Sequence, residues 1–488
     1  GTHCRSIMFA RICLLYLVAY PLAVQCSDNP IKHLIILMME NRSFDHYLGW
    51  LKEQNSAIDG LTGNEFQCSD PGNTSSTCLT VTKNGYDEGP DDPGHSFTDT
   101  LQEIYGFNKS VEQPATPKMD GFVWNAALKS HNLSNPVAMF TIDNSSAPIL
   151  NTLALEYAVF NRWFCSVPGP TDPNRGFAMS GTSNGMVTNF NGTLWSQQSY
   201  FDFLREHNVS WGAYYDEDVW AIAYFEDMNK KPNSEQIYSL DEYYKHLQGD
   251  DLPQFLWLQP SLHTHPSSGP PNWQHPDASV AWGEVLIQNV YEALRDSEYW
   301  NESALLITYD EHGGFFDHVD PPQQDVPPPD GVVASNGFKF DRLGVRIPTV
   351  LVSPWVQKGT VVNEPMNGPY NTSQWESTSN LATASKLFGI TDKLTDREQW
   401  AATFEYLFTQ MEKPRSDAPR FAPPKQFTAE DVMRQWVKPM NEHLEIQLKF
   451  YCDQLDIKPC PQFANQGEAS QFILSVVPRY LEKIQNAE

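Results

Sequence analysis

Residues 31–50 read IKHLIILMMENRSFDHYLGW, and the reading of this stretch decides the fold. Ile31, Leu34, Ile35, Ile36, Leu37 and Met38 make an apolar run without the alternation of a half-exposed strand. Such a run predicts a strand buried on both faces, as in a parallel sheet covered by helices. Glu40, Asn41, Arg42, Ser43, Asp45 and His46 follow where the strand ends. Ligands of open α/β sheets sit beyond the carboxyl ends of strands, so the polar cluster marks a candidate site. A carboxylate beside an amide oxygen offers two hard donors to a divalent cation, or acceptors for the protons of a phosphate group.

The pattern recurs at 305–309 (LLITY), another short apolar run, which ends in DEHGGFFDHVDPP. Asp310 and Glu311 then stand at a second strand end, and Gly313 and Gly314 permit a tight departure from the sheet. Carboxylates converging in one crevice raise one another's pKa unless a cation lies between them. Between these two strand ends in the chain lies SVPGPTDPNRGFAMSGTSNG, residues 166–185. Pro168, Pro170 and Pro173 stiffen this segment and Gly169 and Gly176 let it turn. Thr171 is fixed in its middle, a nucleophile wherever a neighbour lowers the penalty of losing its proton. A Pro-rich turn capped by Thr is the plainer reading of the same residues.

Further strands are expected at 208–215, 253–259 and 345–355, and helices at 96–105, 278–300 and 380–388. Strands alternating with helices give an α/β class with a mostly parallel central sheet. The expected organisation is a signal peptide over 1–26, a catalytic domain over 27–411, and a Pro-rich linker at 412–427. The linker leads a helical extension, to 488, packed on the domain.

Residues 8–26 (MFARICLLYLVAYPLAVQC) carry a basic start, an apolar centre and a small-residue exit, the pattern of a secretory signal. Secretion is therefore expected, with the vacuole or cell wall as further destinations. Nine Asn-x-Ser/Thr sequons fit that route. Eight are glycan candidates, at Asn73, Asn108, Asn132, Asn144, Asn191, Asn208, Asn301 and Asn371; Asn41, inside the candidate site, is expected bare. Two short-loop disulfides suggest themselves, Cys68–Cys78 and Cys452–Cys460, leaving Cys165 as a buried thiol. The net charge of −27 and pI near 4.8 argue against a nucleic-acid partner and give no long-range attraction for anionic phosphates or lipids. Asp87, Glu88, Asp91 and Asp92 do not have EF-hand spacing, and His263 and His265 alone make no zinc signature.

Taken together, ENRSFDHYLGW (40–50), DPGHSFTD (92–99), SVPGPTDPNR (166–175), the His275-Pro276 pair with Gly283-Glu284, and DEHGGFFDHV (310–319) are highly specific. The chain resembles the phosphoesterase family that includes non-specific phospholipases C and bacterial acid phosphatases. IDGLTGNE (58–65) is most similar to its secreted eukaryotic, fungal-like branch. The resemblance implies an alkaline-phosphatase-like, three-layer α/β/α sandwich. It implies one divalent metal ion of unspecified identity, held by Glu40, Asn41, Thr171, Asp310 and Glu311. Thr171 matches the family nucleophile, His275 and His95 match catalytic histidines, and Asn41, His95, Asn174 and His312 match groups that bind the phosphate ester. SQWESTS (373–379) departs from the family phrase by placing Ser377 where a histidine is expected, a gap that His263 or His265 could fill. The implied activity is phospholipase C-like, through a phospho-threonine intermediate and with transient contact to a membrane surface. A phosphatase of small phosphomonoesters and a non-catalytic binding glycoprotein are the alternatives.

Overall fold

A computed structural model describes residues 29–83, 88–89, 91–106, 116–132, 134, 137–143, 145–365 and 368–487. The expected signal peptide, Asp87, and the sequons at Asn108 and Asn144 lie outside the described residues. Among the described residues no helix is long and apolar enough to cross a membrane.

The apolar run of the opening stretch is strand β1 (His33–Met39), buried along its whole length. It is a central strand of an eight-stranded sheet. The others are β2 (Ala158–Phe160), β3 (Trp211–Tyr215), β4 (Ile237–Ser239), β5 (Phe255–Gln259), β6 (Ser303–Tyr309), β7 (Val350–Val352) and β8 (Thr360–Val362). Their spatial order is β8-β2-β7-β6-β1-β5-β3-β4. Only β7 runs against its neighbours; the segment expected as a strand over 345–355 contributes three residues, paired antiparallel to β2 and β6. Between β1 and β6 the register is parallel and continuous from His33 opposite Ser303 to Met39 opposite Tyr309. Both strands therefore end at one level, and Glu40 and Asp310 leave the sheet side by side.

Both sheet faces are covered, which is why the strands read as unbroken apolar runs. Leu34 and Ile36 share a face with Phe255 and Trp257, against which Tyr200 and Phe201 of the helix Tyr200–Glu206 pack. That layer continues through Tyr200 Oη donating to Leu381 O of the helix Ser379–Leu387 and Asn380 Nδ2 to Ala178 O of the helix Thr171–Ser180. Tyr309, on the opposite face, meets Tyr47 of the short helix Phe44–Leu48. Tyr47 donates to Glu284 of the helix Val280–Arg295, and Glu284 also accepts from the first turn of Pro148–Glu156. The result is the expected α/β/α sandwich.

After a stretch at 410–428 without helix or strand come the helices Ala429–Trp436, Glu442–Gln454 and Gln466–Gln485. Leu444, Leu448, Phe450, Tyr451, Ile473, Val477 and Tyr480 belong to the same continuous apolar core as the sheet. Both suggested disulfides are present, Cys68–Cys78 and Cys452–Cys460, and Cys165 is a buried free thiol.

Candidate active site

Where β1 and β6 end, the backbone makes two unusual turns. Asn41 has φ of 54° and Gly313 has φ of 65°, the left-handed region that glycine and asparagine adopt most readily. These turns fold the strand ends together: Asn41 N and Glu311 N both donate to Asp310 Oδ1, at 3.0 and 2.7 Å. Gly313 N donates to Glu311 Oε2 at 2.7 Å.

Thr171 arrives from the other side as the first residue of the helix Thr171–Ser180. The backbone before it is braced by Asn174, whose Oδ1 accepts from Val167 N and whose Nδ2 reaches the carbonyls of Val167, Gly169 and Pro170. Thr171 Oγ1 donates to Glu40 Oε1 at 2.8 Å and lies 3.4 Å from Asn41 Oδ1. One helical turn on, Arg175 is fully buried; it donates through Nη2 to Glu40 Oε2 and through Nε to Asp310 Oδ2, while its guanidinium stacks 4.1 Å above Trp220. Burial and the adjacent Asp310 push the Glu40 carboxyl well up, with Arg175 pulling the other way.

One cation thus already lies among the carboxylates, and it belongs to the protein. The remaining donors still fit a divalent ion. Glu311 Oε1 is buried without a hydrogen-bond partner, and the oxygens of Glu40, Asn41, Thr171, Asp310 and Glu311 are the hard set such an ion prefers. Asp92, His95 and His275 also bring donor atoms close enough to share one cation. A third group, Asp45, Asp317 and His318, encloses Arg346, which is bonded to both aspartates, so its charge is balanced.

His95 Nε2 is 3.2 Å from Asn41 Nδ2 and 3.9 Å from Glu311 Oε1. Burial opposes its charging, but Glu311 and Asp92 outweigh burial and raise it to about 9. His275 is stacked on Trp273, and its Nδ1 faces Asp277 Oδ1 at 2.7 Å; Asp92 and Asp277 likewise overcome burial and raise its pKa. Asp277 is itself held by Asn441 and Gln466 from the C-terminal helices.

Two of the expected ester-binding residues stand one layer back. The polar atoms of Asn174 are committed to its own loop, so its contribution is to fix Thr171 rather than to touch an ester. His312, fully buried, bridges Glu103 at 2.7 Å and Glu311 at 3.4 Å, so it orients Glu311 from behind. Neither of the histidines proposed to stand in at position 377 does so: His263 is paired with Asp218 at 3.1 Å and His265 with Ser267 at 2.7 Å. The histidine beside Thr171 is instead His443, from the helix Glu442–Gln454, with Nε2 3.5 Å from Thr171 Oγ1 and 3.9 Å from Glu40 Oε1. Burial, with His275 and His95 nearby, holds its pKa well below the usual range and keeps it neutral. Sequence reasoning missed His443 and gave Arg175 no role; for Arg175 the signal was its position four residues after Thr171, on the same helix face.

The site opens to solvent through a cavity of about 520 Å³ lined by Asp92, His95, Phe97, Pro170, Asn189 and Glu442. A larger one, about 610 Å³, lies between the helices Val280–Arg295 and Gln466–Gln485 and contains none of these site residues.

The Phosphoesterase family profile matches residues 31–391. Non-specific phospholipase C6 of Arabidopsis thaliana is 40% identical over 408 residues, covering 81% of this chain and 75% of that one. Non-specific phospholipase C3 of the same plant is 39% identical over 405 residues, 80% of this chain and 76% of that one. Phospholipase C B of Mycobacterium tuberculosis is 26% identical over 414 residues, 74% of each chain. A solved structure from the alkaline phosphatase superfamily of Vibrio parahaemolyticus aligns over 76% of this chain and 69% of that one, at 11% identity and a TM-score of 0.35. The family profile over residues 31–391 and the plant relatives at 39–40% identity show that the chain belongs to the Phosphoesterase family and is a hydrolase of phosphoric esters.

Proposed function

We propose that the enzyme is a secreted phospholipase C, which cleaves phospholipids to diacylglycerol and a phosphorylated head group through a phospho-threonine intermediate. The single observation that carries the chemistry is the Thr171 hydroxyl, fully buried and 2.8 Å from Glu40 Oε1 at the amino end of a helix. The lipid substrate is supported by the phospholipases C among the relatives.

In this reading Thr171 Oγ1 attacks phosphorus in line, the new P–O bond forms, and the bond to the diacylglycerol oxygen breaks. Glu40 Oε1 accepts the hydroxyl hydrogen, and the helix amino end favours the negative charge gathered there. Arg175 keeps Glu40 and Asp310 in place. His275, oriented by Asp277, or His95 protonates the departing alcohol, and water then releases the phosphate from Thr171. A divalent cation bound by Glu40, Asn41, Thr171, Asp310 and Glu311 would supply Lewis-acid stabilisation of charge on the hydroxyl oxygen and the phosphoryl group.

Two features support transient contact with a lipid surface and secretion. Val332 and Val333, 37% and 53% exposed, belong to the loop whose Ser335 and Asn336 line the site's cavity. The sequon asparagines Asn73, Asn132, Asn191, Asn208, Asn301 and Asn371 are all exposed, whereas Asn41 is fully buried; the two disulfides suit an oxidising compartment.

The test is hydrolysis of phosphatidylcholine and of p-nitrophenyl phosphate by wild type and Thr171→Ala. Release of diacylglycerol that falls at least about 10³-fold in the variant is the expected result. Turnover of the small ester alone would make the protein a phosphatase, and near-normal turnover by Thr171→Ala would remove Thr171 as nucleophile.

A further inference from the structure

We propose that His443, delivered by the C-terminal helix Glu442–Gln454, is a further catalytic residue that donates its Nε2–H to the phosphoryl oxygen seated beside Thr171 Oγ1. The inference rests on the reading of Thr171 as the nucleophile.

His443 is packed among three other rings. Only 2% of its surface is exposed. Trp220 and Trp273 meet the ring edge-on at centroid distances of 5.8 and 5.4 Å, and His275 lies 5.6 Å away. Asn441 caps the helix by accepting from Leu444 N at 2.9 Å, and its Nδ2 donates to Asp277 Oδ2 at 2.9 Å. The residue that starts the helix therefore also ties it to the carboxylate that orients His275. His443 is aimed at Thr171 by both packing and cap.

A buried histidine that only fills space normally finds a firm hydrogen bond for its ring. His46 has Phe140 O at 2.7 Å, His263 has Asp218 at 3.1 Å, and His312 has Glu103 at 2.7 Å. His443 differs in having no firm bond at either ring nitrogen: Nδ1 is buried without a partner, and Nε2 lies 3.5 Å from Thr171 Oγ1. That distance is too long for a strong bond in the resting site. It is the placement expected of a donor that acts on an atom next to Thr171 and arriving with substrate. During transfer the Thr171–phosphorus bond forms and the phosphorus–alcohol bond breaks. His443 keeps its proton throughout and stabilises charge on the phosphoryl oxygen it faces.

The experiment compares wild type, Thr171→Ala, His443→Phe and His443→Gln on p-nitrophenyl phosphate and on phosphatidylcholine vesicles, with circular dichroism and Tm for each protein. His443→Phe is expected to keep its fold and lose about 10²- to 10³-fold in kcat, and to bind inorganic phosphate about tenfold more weakly. His443→Gln, which returns an N–H donor, should recover about tenfold over the phenylalanine variant. If His443→Phe does not fold, His443→Ala with added imidazole decides: saturable return of turnover supports the donor. A folded His443→Phe within about threefold of wild type, with Thr171→Ala inactive, overturns the role of His443 and leaves that of Thr171 standing. A loss that neither Gln nor imidazole repairs also overturns it, because packing alone then explains the effect. A wild type silent on both esters overturns the reading of Thr171 itself, and this inference with it.

Discussion

His318 shows how single ionisable groups hold the site's surroundings. Its Nδ1 sits 2.6 Å from Asp45 Oδ2 and its Nε2 3.3 Å from Asp59 Oδ1, beside the buried Arg346. Burial opposes its charge, yet the bonds to Asp45 and Asp59 raise its pKa to about 10. A group whose pKa is raised on folding stabilises fully below its unfolded value and loses that contribution as pH rises through the folded value. The window for His318 therefore runs from about 6.5, the unfolded value, to about 10. We expect wild type to lose about 1–3 kcal/mol more stability than His318→Gln across that window, read as the difference between their urea midpoints at each pH. Equal slopes for the two proteins would show that His318 carries no linked charge. At this scale the sequence was uneven. Glu40 and Asp310 were legible because apolar runs lead directly into them. His443 was not, because 272 positions separate it from Thr171 and a lone histidine in an amphipathic helix carries no local sign of its partner.

The turn that follows β6 governs whether the two strand ends meet. A Cβ on Gly313 would stand 2.3 Å from Asn41 O and 2.8 Å from Asn41 C, at a φ of +65° that L side chains rarely adopt. Gly313→Ala should therefore destabilise by about 2–3 kcal/mol. Because it also displaces the N–H that fixes Glu311, it should reduce hydrolysis well beyond any loss of folded protein. Gly389→Ala is the control: φ is +72° and nothing lies within 4 Å, so only backbone strain of about 1 kcal/mol is expected, with turnover unchanged. Similar turnover in both variants would mean that the approach of Asn41 to Gly313 is not needed for the chemistry. The strands and helices were readable in outline because each has its own period, and the Gly-Gly pair announced a turn. The sequence did not show that β7 runs antiparallel, since a short apolar run reads the same in either direction. The capping of the helix Phe97–Tyr105 by Ser96 and Asp99, by contrast, follows from their spacing, and it places His95 just outside the helix at the site.

Over the whole molecule the balance of charge is −27, and this acts at distances no single residue controls. In the proposed lipase reaction the substrate phosphate lies at a membrane surface, and a vesicle rich in anionic lipid repels a protein of this charge. The repulsion reaches about 30 Å at 0.01 M salt and about 8 Å at 0.15 M. Initial rates on vesicles doped with phosphatidylglycerol should therefore rise as salt increases over that range, by about threefold to tenfold. Rates on phosphatidylcholine vesicles, which carry no net charge, should change little. Counterions screen the approach but leave the chemistry alone, so the small soluble ester, assayed in parallel, separates an encounter effect from inhibition at the site. If the rate on anionic vesicles instead fell with salt, a local basic surface would have to dominate the approach. Lys129, which lines the site's cavity and pairs with Asp99 at 3.1 Å, would be the first cation to test. The expected sign follows from the excess of 60 acidic over 33 basic side chains. On the proposed reading, local cations such as Arg175 hold the site's carboxylates in place, while the acidic exterior should favour zwitterionic surfaces over anionic ones.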